Sequence, residues 1–108
     1  MAERKLAPVH PGEVLLEEFL KPYGLSQNRL ALSIGVHPRR INEIVLAKRR
    51  VTAETALRLA RYFGNTPQFW LGLQVEYDLE IAADELGDRL EREVRTHEGA
   101  APGGRPRR

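Results

Sequence analysis

Apolar residues recur along the chain at helical spacings, punctuated by glycine and proline, and no stretch keeps the strict alternation of a strand. The pattern predicts five helices. Pro11 suits the opening turn of the first, where its missing N–H costs nothing. Val14, Leu15 and Phe19, with Leu16 and Leu20 beside them, form its apolar stripe, which ends at Leu20 or Lys21, ahead of Pro22 and Gly24. Ser26 is a good N-cap for the second helix, whose core face is Leu30, Ala31 and Ile34. Gly35 closes that helix, because glycine enters the left-handed conformation at little steric cost. The third starts near Pro38, carries Ile41, Ile44 and Val45 on one side, and runs to Leu46 or Ala47. Thr52 caps the fourth, in which Ala56, Leu59, Ala60 and Phe63 follow an i, i+3, i+4, i+7 stripe up to Gly64. Thr66 and Pro67 open the fifth, which contains Phe69, Trp70 and Leu73 and meets no proline before Pro102. Leu79, Ala82, Leu86, Leu90 and Val94 continue its apolar rhythm beyond the compact core, with Gly87 weakening the middle.

Two short periodic helices joined at the Gly35-Val36 corner describe a helix-turn-helix within an all-α fold, an arrangement that points to DNA. Such a unit needs a second helix with one face against its partner and another carrying long polar side chains that reach base edges in the major groove. At about 100° per residue, Ile41, Ile44 and Val45 cluster on one side of the third helix, Arg39 and Glu43 lie near the opposite side, and Arg40 and Asn42 sit on the flanks. Arginine can bond guanine bidentately, glutamate can accept from cytosine, and asparagine can pair with adenine, so these four are the candidate base readers, Arg39 foremost. Gln27 opens the second helix, where free amides and the helix dipole favour a phosphate, and Lys48, Arg49 and Arg50 form a basic corner after the third. A plainer reading stands beside these. Arg39 and Glu43, spaced i, i+4, could pair with each other, His37 could act as a cap before Pro38, and Phe69 and Trp70 could serve the core.

Composition narrows the class. With 108 residues and 42% of them hydrophobic, the chain supports one small core. It has no cysteine, its three histidines are dispersed, and no nucleophile has a base near it in a recognisable motif, so no metal, no cofactor and no enzyme are expected. No apolar run reaches the roughly 20 residues of a membrane span, and the first residues lack the apolar segment of a secretion signal, which makes a cytoplasmic location the expectation. Charge is segregated. From Arg29 to Arg61 eight basic residues face two acids, a net +6, whereas from Glu76 to Glu98 nine acids face three arginines, a net −6. A basic centre can meet phosphate while an acidic end faces elsewhere. The resulting division is a flexible arm (1–9), a helix-turn-helix domain (10–78), an acidic amphipathic helical extension (79–97) and a disordered basic tail (98–108).

The segments HPGEVLLEEFL (10–20), LSQNRLALSIGV (25–36), INEIVLAKRRVTAETALRLARYFG (41–64) and TPQFWLGLQVEYDL (66–79) together resemble the HigA antitoxin family, within the Xre-like repressors. The resemblance implies a five-helix, lambda-repressor-like domain with the C-terminal helical extension added. It also implies a homodimer on a palindromic operator in its own promoter, and neutralisation of a RelE-like HigB toxin that cleaves messenger RNA. In similar repressors the base-contacting positions correspond to His37, Pro38, Arg39 and Glu43 here, and phosphate contacts fall near Ser26, Gln27 and Lys48. The chain departs from the family at Ala47, where glycine is usual.

Dimerisation also follows from geometry, since one recognition helix reads only a few base pairs and paired half-sites multiply specificity. Trp70, Leu73, Tyr77 and Leu79 of the fifth helix are the candidate dimer surface. Two alternatives compete with the antitoxin reading: a stand-alone Xre-type regulator with no toxin, and a protein-interaction module whose acidic segment wraps a basic toxin.

Overall fold

The computed structural model describes residues 7–98, and among them every regular element is a helix. Residues 7–10 are non-helical; the rest of the expected arm, and the tail from residue 99 onward, lie outside the described residues. The first helix, α1, is a continuous rod over residues 11–23, built from an α-turn at Pro11–Val14, a π-wound stretch at Leu15–Leu20 and a last α-turn at Lys21–Tyr23. It therefore overruns the stop expected at Leu20 or Lys21. Pro22 has no N–H to donate, and its ring would crowd the carbonyl one turn back; the wider winding, in which the Lys21 N–H reaches the Leu16 carbonyl, makes room for it. The helix ends at Gly24 (φ 62°), after which the Leu25 N–H donates to the Leu20 carbonyl at 2.9 Å.

The remaining caps fall where the polar and small residues place them. In α2 (Gln27–Ile34) the Ser26 hydroxyl accepts from the Arg29 N–H, and Gly35 (φ 76°) closes the helix. In α3 (Pro38–Val45) the His37 ring is the cap, its Nδ1 accepting from the Arg39 N–H at 3.0 Å. Thr52 and Gly64 bound α4 (Ala53–Phe63), and Thr66 caps α5 (Pro67–Leu86). The expected single extension is two pieces. Gly87 (φ 55°, ψ −132°) ends α5 outright, and a separate five-residue α6 (Arg89–Glu93) follows, with no residue buried and, among the described residues, no helix beyond it.

Helix α2 packs on α3 and α4, α4 packs on α5, and the N-terminal end of α1 lies against both α3 and α5. Leu15, Leu20, Leu30, Ala31, Ile34, Ile41, Ile44, Val51, Ala56, Leu59, Ala60 and Trp70 form the buried core. The start of α1 is a close backbone approach: Gly12 is buried, and a Cβ on it would overlap the Ile44 carbonyl of α3. No larger residue fits there unless α3 moves. His10 caps this turn by accepting the Gly12 N–H on Nδ1 at 2.9 Å, and its ring meets Tyr77 of α5 edge to face at 4.8 Å. The His-Pro-Gly-Glu opening thus ties α1 to both the third and the fifth helix.

Trp70 requires a correction. Its indole is 0% exposed, its ring centroid 5.0 Å from that of Phe19, tilted, and 5.0 Å from that of Phe69, edge to face, and its N–H donates to Asn65 Oδ1 at 2.9 Å. A ring enclosed in that cluster cannot also form a dimer surface; it belongs to the core, which is the plainer reading of its helical spacing.

Candidate nucleic-acid interface

Helix α3 lies with Ile41 and Ile44 fully inside the core, so its other side is turned outward. Arg39 and Asn42 are exposed there, and Glu43 is half-buried. The side chains diverge in what they bond. Arg39 makes no side-chain hydrogen bond or ion pair among the described residues, and its guanidinium stands free at the start of the helix. Glu43 does not pair with it. Its Oε1 instead accepts from Arg49 at 2.8 Å, across the corner that follows α3. Asn42 donates to Gln27 Oε1 at 3.2 Å, joining the middle of α3 to the first turn of α2 and leaving the Gln27 amide N–H groups unspent.

Arg40 is drawn the other way. Its guanidinium reaches Thr55 Oγ1 at 3.3 Å and Glu54 at 3.5 Å, both on α4, and its side chain is 27% exposed. The expected flank position is real, but the long side chain folds back toward α4, which takes it off the reading face. His37 is exposed, yet its Nδ1 is spent on the helix cap, so only the Nε2 edge of the ring faces outward. Pro38 occupies the first turn of α3 and offers no side-chain donor or acceptor.

The end of α3 closes with the Ala47 N–H on the Ile44 carbonyl (3.0 Å) and the Lys48 N–H on the Glu43 carbonyl (2.8 Å). That closure needs a left-handed residue, and here it is Ala47 (φ 62°), the sole non-glycine with positive φ among the described residues. Lys48, Arg49 and Arg50 follow, all exposed. Their charges differ in availability. Arg49 is held by Glu43, and Arg50 donates to Asp78 Oδ2 of α5 at 2.9 Å, whereas Lys48 has no side-chain partner among the described residues. At the start of α2, Ser26 spends its hydroxyl as an acceptor on the cap, while the first amides of that helix have no partner inside it. Lys48, Gln27 and Arg39 are thus among the cationic or donor groups that the described residues leave open beside α3.

Three supporting residues have no counterpart in the sequence reading. Arg58 of α4 donates to the Ile34 carbonyl at 2.8 Å, so it holds the end of α2 through the very turn that sets the angle to α3. Gln74 of α5 is 2% exposed; its carbonyl accepts the Val51 N–H at 2.7 Å and its amide donates to Asp78 Oδ1 at 3.0 Å. The Gln74 hydrogen bond, chief among the causes, holds the Asp78 carboxyl below the usual carboxylate range; burial opposes it, and the Arg50 hydrogen bond and charge add to the lowering. Burial also pushes the His10 pKa down, partly opposed by the Asp78 charge. A sequence signal for Gln74 existed: it lies four residues after Trp70, on the same helix face, where an apolar residue is the norm.

On α5, Leu73 and Tyr77 are half-buried, while Val75 (52% exposed) and Leu79 (63% exposed) are open to solvent. Among the described residues no helix is long and apolar enough to cross a membrane.

Comparison with known proteins agrees with this geometry. Residues 16–70 match a family model described as helix-turn-helix. Virulence-associated protein I of Dichelobacter nodosus is 54% identical over 80 residues, which span 74% of each chain. Among solved structures, an addiction module antidote protein of a HigA family from Coxiella burnetii superposes with a TM-score of 0.81 at 42% identity, covering 85% of this chain and 100% of that one. The Pseudomonas aeruginosa antitoxin HigA, solved with the higBA promoter, gives 0.78 at 41% identity, covering 82% and 96%.

Proposed function

Because this chain belongs to the helix-turn-helix family, and within it to the HigA antitoxins of the Xre-like repressors, we propose that it is a DNA-binding repressor that controls its own operon by docking α3 in the major groove. The observation that carries this reading is the outward side of α3, with Arg39 at one end and Lys48 just past the other, both without a side-chain partner among the described residues. Arg39 is the principal base reader, Asn42 and Glu43 read beside it, and His37 contributes through its outward edge. Ser26, Gln27 and Lys48 hold the phosphate backbone. The Pseudomonas relative, solved with its promoter, supports docking on operator DNA.

The finer features of the reading are a cytoplasmic homodimer on a palindromic operator and neutralisation of a RelE-like HigB toxin. The half-site geometry of repressors supports the dimer, and the exposed Val75 and Leu79, one turn apart on the solvent side of α5, supply a surface for it. The name of the Coxiella relative, an antidote of an addiction module, supports a toxin partner. No catalytic step belongs to this reading.

The test is titration of the protein onto its own promoter fragment and onto random duplex at several salt concentrations. Arg39→Ala should lose about 1 to 3 kcal/mol on the operator and flatten its advantage over random duplex. Lys48→Ala should weaken both duplexes alike and reduce the salt slope by about 0.9. Indistinguishable behaviour of the two variants would remove the division between reading and holding.

A further inference from the structure

Arg50 lies in the basic corner that follows the recognition helix, yet the structure gives its charge an intramolecular owner. Its guanidinium bonds Asp78 Oδ2 at 2.9 Å, across 28 residues of sequence. An isolated surface ion pair is a weak competitor for a cation, because ordering two long side chains offsets most of the attraction. This pair is not isolated. The other carboxylate oxygen of Asp78 accepts from Gln74, whose carbonyl is fixed by the Val51 N–H, and Gln74 is 2% exposed within the packing of α5. The acceptor is therefore held in place by the fold before Arg50 arrives. Val51, which anchors the far end of this chain of bonds, is the residue next to Arg50 and is itself fully buried, so the backbone that carries the arginine is pinned by the same glutamine.

Resting on the reading that α3 docks on a duplex, we propose that Asp78 withholds Arg50 from the phosphate backbone and so limits the sequence-independent, salt-sensitive part of the binding. Phosphate contacts strengthen binding to every duplex alike, whereas base contacts strengthen only the operator. A cation kept on Asp78 therefore lowers affinity for operator and random duplex alike and makes both less sensitive to salt. Lys48, two positions earlier and without a carboxylate partner among the described residues, is the corner's phosphate ligand, and Arg49 is balanced by Glu43. Gln74 acts through Asp78 as a positioning residue.

The experiment compares wild type, Asp78→Asn, Arg50→Gln and the double variant on the promoter fragment and on random duplex, with each protein's active fraction determined by stoichiometric titration. Asparagine keeps an acceptor for Gln74 while removing the charge that holds Arg50. Asp78→Asn should steepen the salt slope by about 0.9 on both duplexes, so that raising salt from 50 to 200 mM costs it about three- to fourfold more affinity than wild type. At fixed low salt it should bind both duplexes more tightly than wild type, with the ratio of operator to random binding unchanged. Arg50→Gln should keep the wild-type slope, and the double variant should lose the steepening. An unchanged or shallower slope in Asp78→Asn, or a steepening that survives in the double variant, overturns the proposal. A wild-type protein that fails to distinguish its promoter from random duplex would instead sink the DNA-binding reading itself.

Discussion

Single residues carry more of this fold than their size suggests. Ala47 holds a left-handed conformation (φ 62°) that closes α3, and a Cβ in that region costs about 1 to 2 kcal/mol. The departure from glycine was legible in the sequence; that the turn keeps its left-handed shape around alanine was not. Ala47→Gly should stabilise the protein by about 1 kcal/mol, less than the full strain because glycine is freer in the unfolded chain. A higher urea midpoint with an unchanged m-value is the expected result. His10 is a second case. Its folded pKa is depressed below the ordinary 6.5, chiefly by burial, so the unfolded chain takes up a proton before the native state does. Its contribution to stability is complete above about pH 6.5 and is lost as pH falls from there through the folded value. Protonation also removes the Nδ1 acceptor that caps α1. In His10→Asn, which keeps a capping oxygen and does not titrate, the dependence of the melting temperature on pH between 7 and 5 should flatten.

At the scale of elements, the starts and ends marked by Ser26, Gly35, Thr52, Gly64 and Thr66 were readable because capping is local chemistry between residues two to four positions apart. The misjudged boundaries were those where a local rule has two outcomes. Pro22 ends most helices, but α1 widens to a π-winding and continues to Tyr23. Gly87 is tolerated inside many helices, but here it takes φ 55° and ψ −132° and breaks the extension. That backbone conformation is closed to alanine, and no neighbouring atom lies where the new Cβ would stand. Gly87→Ala should therefore continue α5 into α6. Circular dichroism at 222 nm should rise while the melting temperature stays nearly constant, because α6 buries no residue. A melting temperature lowered by several degrees, with no gain in helicity, would show that the break is built into the fold.

For the molecule as a whole, the charge division places a net +6 over residues 29–61, which include the recognition unit, and −6 over residues 76–98, on the C-terminal half of α5 and beyond. The exposed apolar positions of α5 sit at the boundary between the two. If Leu79 packs against a second copy, Leu79→Asp should shift the protein toward monomer in sedimentation and weaken operator binding, with the unfolding midpoint of the monomer unaffected by the loss of a side chain that is 63% exposed. Unaltered sedimentation would move the dimer surface elsewhere.

What this chain settles by itself is its periodicity and its local caps: which residues turn inward, that Ser26, Gly35, Thr52, Gly64 and Thr66 bound their helices, and that a helix-turn-helix presents Arg39 outward. What only the tertiary structure decides is the allocation of charges and rings among partners distant in sequence. Arg40 folds onto Glu54, Arg49 onto Glu43 and Arg50 onto Asp78; Trp70 is enclosed by Phe19 and Phe63, and His10 by Tyr77. Long side chains reach several angstroms beyond their own helix, so the nearest opposite charge or ring is set by how the helices cross, a quantity that local spacing does not encode.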